Sequence, residues 1–140
     1  MAIGSFFYDN AFACWIYTKK TLQIIEVNKK SLCLYGYTEN EFLENLKVCD
    51  LVPTKQKAPF RSYLRNKEPG SPAFVQQITK DGKELTVLVL TQNVRLNGVD
   101  CAYVIAVERE QIESVNRLQV KQQKRTRQAQ TKNSLVQMPL

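Results

Sequence analysis

Apolar positions in this chain come in short runs separated by polar turns, and the runs change character half-way along. Ala13 to Tyr17 is a compact apolar and aromatic run. Leu22 to Val27 is a second, and Lys19-Lys20-Thr21 lies between them as a polar turn, so the three together predict a β-hairpin. Asn28 is placed to cap a helix, because its side chain can accept from the orphan amides of the next turn. Lys29 to Tyr35 follows as a short helix that Gly36 stops. Thr38-Glu39-Asn40-Glu41 spells a reciprocal cap, with the Thr38 hydroxyl accepting from the Glu41 amide and the Glu41 carboxylate reaching back. The helix it starts carries Phe42, Leu43 and Leu46. Pro53 and Pro59 bracket the region after Leu51, Phe60 to Leu64 reads as a further helical piece, and Lys67 to Pro72 as a loop.

From Phe74 the texture turns to β. Phe74 to Lys80, Glu84 to Leu96 and Asp100 to Glu108 are rich in Val, Leu, Ile, Thr and Tyr. Asp81-Gly82 and Asn97-Gly98 join them, and these residues tolerate the positive φ of tight hairpins. Two strands, several short helices and three more strands predict an α+β domain: one five-stranded antiparallel sheet with short helices packed on one face. Past Glu108 the chain becomes polar and helix-favouring, with Ile112, Val115 and Leu118 as one narrow apolar stripe. The expected organisation is a cap segment over 1–12, a domain over 13–108, a linker helix over 109–120 and a fraying basic tail over 121–140.

Charge sharpens that division. The net charge is +7, but residues 1–116 hold all 13 acids against 14 Lys and Arg. The other six basic side chains, Arg117, Lys121, Lys124, Arg125, Arg127 and Lys132, follow without a single acid. The chain has no histidine, which removes the commonest general base, the commonest metal ligand and His-ligated haem. No metal site is expected. Cys14, Cys33, Cys49 and Cys101 have apolar neighbours and no C-x-x-C spacing, so they are expected to be buried, reduced thiols. No Gly-rich phosphate loop, nucleophile–base pair or carboxylate cluster stands out, and no enzyme is expected. The first residues lack a basic, apolar or cleavage-site pattern, and no run is long enough to span a membrane, so the expected compartment is the cytoplasm.

The order of elements, with the words that fill it, resembles the PAS family of sensory domains. Trp15-Ile16-Tyr17, Glu26-Val27-Asn28 and Leu34-Tyr35-Gly36-Tyr37-Thr38 with Glu41-Phe42-Leu43 carry the first half of the likeness. Asp50-Leu51-Val52-Pro53, Lys80-Asp81-Gly82-Lys83 and Ala102-Tyr103-Val104-Ile105 carry the second. The resemblance implies a sensory module that binds a small ligand or relays a signal by dimer rearrangement, as the regulatory part of a bacterial sensor of the histidine kinase or cyclase type; the alternatives are a pure protein–protein interaction module with a filled core, or a small regulator that contacts nucleic acid through the basic tail. Two departures matter. The exit from the last strand is Val107-Glu108-Arg109-Glu110 rather than an Asp-Ile-Thr type of motif. Flavin photosensors of the superfamily carry a reactive cysteine in the sequence Asn-Cys-Arg-Phe-Leu-Gln, whereas this chain has Leu46-Lys47-Val48-Cys49-Asp50-Leu51. That argues against flavin and leaves Cys49 a structural thiol.

Trp15, Tyr17, Tyr35, Phe42, Phe60, Phe74 and Tyr103 either line a ligand pocket or fill the core, and Gln77, Asn93 and Arg95 are the polar groups available to such a pocket. Phe6, Phe7 and Phe12 precede the first strand in a segment too short to bury them alone. With Ile112, Val115 and Leu118 and the sheet face turned away from the helices, they predict a homodimer across a two-fold axis. The alternative is that the N-terminal segment folds back on its own sheet. The basic tail has no interleaved aromatics and no sustained apolar face, so neither nucleic-acid binding nor membrane insertion is expected of it. A downstream signalling protein or domain is the expected further partner.

Overall fold

The computed structural model describes residues 3–66 and 72–137, leaving out the side chains of Asn66, Val115 and 125–137. It divides into two units, residues up to Glu108 and residues from Arg109. The first unit opens with a one-turn helix, α1 (Ser5–Tyr8), and a hairpin of β1 (Ala13–Thr18) and β2 (Ile24–Val27). Helix α2 (Lys29–Tyr35) leads into a π-type turn at Glu41–Asn45 and 3-10 turns at Val48–Leu51 and Thr54–Gln56. Helix α3 (Lys57–Asn66) then precedes β3 (Ala73–Ile78), β4 (Glu84–Leu96) and β5 (Val99–Glu108). The five strands form one antiparallel sheet in the order β2-β1-β5-β4-β3, so the N-terminal hairpin docks on the last strand.

Local chemistry accounts for most of these boundaries. Asn28 caps α2 by accepting from the Ser31 amide at 3.0 Å. Gly36 ends the helix at φ 82°, a left-handed conformation that a side chain would resist. The reciprocal cap at Thr38 and Glu41 forms in both directions, at 3.2 and 3.0 Å. The segment it starts is a π-type turn rather than the expected α-helix. The β4–β5 ladder runs from Val87↔Glu108 to Leu96↔Val99, closed by Asn97 and Gly98 with φ 49° and 77°. Two positive φ angles match the right-handed twist of the flanking strands.

Other expectations need correction. Leu22 is not in β2 but at φ 64° in the preceding turn, its amide donating to the Thr18 carbonyl at 2.7 Å. Cys33 is exposed, because α2 turns Ser31 and Tyr35 inward and Cys33 lies off that face. The expected loop over Lys67–Pro72 falls outside the described residues except for Pro72. In the second unit the helix expected over 109–120 is longer, α4 (Arg109–Gln137). Gln, Lys and Arg are good helix formers, and Pro139 is the first proline or glycine after Gly98.

The sheet has two unlike faces. Ala13, Trp15, Tyr17, Leu85, Val87, Val89, Ala102, Val104 and Ala106 alternate along their strands into the main core, with Tyr35, Phe42 and Leu51 from the helical side. The intervening residues Cys14, Ile16 and Cys101 join Phe7 in a second, smaller cluster on the outer face.

Candidate functional site

On the helical side of the sheet, Trp15 meets Tyr35 edge-on at 5.6 Å between ring centroids, and Tyr35 meets Phe42 at 6.0 Å. Tyr37 extends the chain of rings to Phe42 at 5.4 Å. Tyr35 is fully buried and its hydroxyl donates to Gln77 Oε1, so the one buried amide side chain of β3 is satisfied from α2. Burial holds the Tyr35 hydroxyl well above its ordinary pKa and pushes Tyr17 up to about 12. Both phenols therefore stay neutral at physiological pH.

Between this cluster and α3 lies a hollow of about 20 Å³, lined by Trp15, Tyr17, Phe60, Tyr63, Gln77 and Thr91 among others. That is room for one water at most. The indole N–H of Trp15 is buried and finds no partner among the described residues.

Four of the ten pocket candidates lie elsewhere, and strand alternation explains two of them. Tyr103 alternates with the inward Ala102 and Val104, so it stands on the outer face, edge-on to Phe7 at 5.4 Å. Phe74 alternates with the inward Val75 on the edge strand β3 and is 59% exposed. It borders a groove of about 240 Å³ with Val52, Pro59, Phe60 and Tyr63. Asn93 is exposed and accepts from Lys19 Nζ at 2.9 Å. Arg95 is exposed as well and pairs with Asp100 at 3.2 Å. Trp15, Tyr17, Tyr35, Phe42, Phe60 and Gln77 are thus brought together, while Phe74, Asn93, Arg95 and Tyr103 are not.

No protein-family model matches the chain, and no curated protein does. Solved structures do match. The PAS domain of an HTR-like protein from Haloarcula marismortui superposes with a TM-score of 0.62 at 18% identity, over 74% of this chain and 86% of that one. A PAS domain from a two-component sensor histidine kinase gives 0.63 at 12% identity, over 73% and 88%. The chain has the PAS fold. A LOV protein from Rhodobacter sphaeroides gives 0.63 at 15% identity, over 75% of this chain, which spans 63% of that protein's chain.

The interior beside α3 holds little open space. Ligand pockets run to about 300–1,000 Å³, and the hollow here is some fifteen-fold smaller than the low end. Cys49 is buried in the 3-10 turn Val48–Leu51, on the Tyr17 side of the core.

On the outer face of the sheet the alternative reading of the N-terminal segment holds. Phe7 is 2% exposed, so the N-terminal segment does fold back on its own sheet, and Phe7 is not available to a partner. Its neighbour Phe6 is 78% exposed. Phe6 stands between two hollows, one of about 610 Å³ bordered by Leu90, Gln92, Tyr103 and Ile105, the other of about 380 Å³ bordered by Ile16, Val94 and Leu96. The signal for this was the pair itself: adjacent residues of a single helical turn point in different directions, so one turn cannot bury both. Of the linker residues, Ile112 and Leu118 lie on α4 with Leu118 64% exposed, and the Val115 side chain falls outside the described residues.

Proposed function

We propose that this chain is the regulatory, signal-relaying part of a bacterial sensor system of the histidine kinase or cyclase type. It is non-catalytic and cytoplasmic, works as a homodimer, and signals to a downstream protein or domain by rearrangement within that dimer. The observation that carries the relay is the filled interior. The hollow that Trp15, Tyr17, Phe60 and Gln77 share is only about 20 Å³, too little for a cofactor. A packed interior passes a displacement on instead of storing a ligand, and β5 continues directly into α4 as the route out. No described helix is long and apolar enough to cross a membrane.

A second reading keeps the small ligand. It is favoured by the Trp15 indole N–H, which is buried without a partner on a residue that lines the same hollow as Gln77 and Thr91. A small acceptor reached by outward movement of α3 would satisfy it. Native mass spectrometry of freshly purified chain, together with its visible spectrum, separates the two. The relay reading expects the mass of the bare polypeptide or its dimer, and no flavin or haem absorption. A stoichiometric retained molecule would overturn it in favour of the ligand sensor.

A further inference from the structure

We infer that the C-terminal half of α4 is a phosphate-binding surface for duplex DNA, with Arg117, Lys121 and Lys124 as its first three cations. Spacings of four and three residues put these positions within an arc of about 60° on the helix, over about 10 Å of its axis. All three side chains are exposed, and none of them enters an ion pair among the described residues. Arg117 donates to the Ser114 hydroxyl at 3.3 Å, a neutral acceptor weaker than a phosphate oxygen. The last acid in the sequence is Glu113, and Arg125, Arg127 and Lys132 follow within the same helix. Ile112 and Leu118 sit about 140° and 100° round the helix from the centre of the arc, so whatever covers the apolar stripe leaves the cations free.

Charge complementarity selects the occupant. Duplex DNA carries one phosphate charge per about 1.7 Å of its axis, so each cation on this line finds a counter-charge. A helix about 10–12 Å across lies in a B-form major groove about 12 Å wide, with one flank against a wall of phosphates. The major groove of an RNA duplex is too narrow to take it. The lack of aromatics in the tail bears on stacking against single-stranded bases and leaves phosphate contacts to a duplex open. Gln119, Gln122 and Gln123 occupy the far side of the helix, so a bilayer finds no sustained apolar face to bury. The inference stands apart from the relay reading above, since it needs neither a filled interior nor a dimer.

Fluorescence anisotropy of the full chain with a labelled mixed-sequence duplex of about 20 base pairs, in about 50 to 200 mM salt, tests this. With all six cations engaged, the affinity should fall on the order of a thousand-fold across that range. The triple variant Arg117→Gln, Lys121→Gln, Lys124→Gln should bind at least about ten-fold more weakly at the low-salt end and lose only about forty-fold across the range. The double variant Lys121→Arg, Lys124→Arg keeps the charge and should bind like wild type. Glutamine forms helices about as well as lysine and arginine, so the circular dichroism of every variant should match wild type. No binding, salt-insensitive binding, or a triple variant that binds like wild type overturns the proposal. Single-stranded RNA, phosphatidylserine vesicles or poly-glutamate that competes as well as unlabelled duplex overturns it too, by assigning α4 to another polyanion.

Discussion

Asn28 is 1% exposed and uses its whole side chain. Its Oδ1 accepts from the Cys14 amide, the Ser31 amide and the Ser31 hydroxyl, each at 3.0 Å. Its Nδ2 donates to the Phe7 and Phe12 carbonyls at 3.2 and 2.9 Å. One amide therefore fastens the N-terminal segment, β1 and α2 together. Asn28→Asp keeps the acceptor and loses both donors, turning a carboxylate oxygen toward two carbonyls. Each stranded carbonyl costs about 1–3 kcal/mol. We expect a lowered urea midpoint and faster amide exchange at residues 5–12. A midpoint equal to wild type would show that the N-terminal segment does not depend on this residue. The sequence displayed Asn28 as a helix cap because capping acts within three residues. Its bonds to Cys14, Phe12 and Phe7 reach residues 14 to 21 positions away, and no local pattern encodes them.

At the scale of elements, what was legible is what is fixed locally. The hairpin closed by Asn97-Gly98, helix α2 between Asn28 and Gly36, and the Thr38–Glu41 cap all follow from neighbours in the chain. Strand alternation was equally legible in principle, yet Tyr103 and Phe74 were read as interior for their aromatic character, against the period of their own strands. Helix α4 makes the opposite point. The apolar stripe suggested a short helix over 109–120, while α4, rich in helix formers, spans Arg109–Gln137. Its polar second half has no apolar stripe to bury, so removing residues 121–140 should leave the stability of the chain within about 0.5 kcal/mol of wild type. A larger loss by calorimetry would mean that this half of the helix supports the domain.

For the whole molecule, buried phenols and thiols set an alkaline limit. Tyr17 and Tyr103 are pushed up to about 12 by burial, Tyr35 lies well above its ordinary 10, and burial raises the Cys14 and Cys101 thiols from 9. Folded values above unfolded ones mean that the stabilisation is complete below the unfolded value and drains away as pH rises through the folded one. The urea midpoint should therefore hold steady from neutrality to about pH 9. It should then fall through about pH 10 to 12 as thiols and phenols ionise preferentially in the unfolded chain. A midpoint that rises or stays flat across that window would contradict the burial of these groups.

The filled interior has a mechanical meaning. A domain with a 20 Å³ hollow has almost no slack volume around that cluster. Packed interiors compress little, and the volume lost on unfolding scales with the voids eliminated. Such a domain behaves like a full hydraulic line rather than a sponge. Side chains around Trp15, Tyr17 and Gln77 have few gaps to settle into.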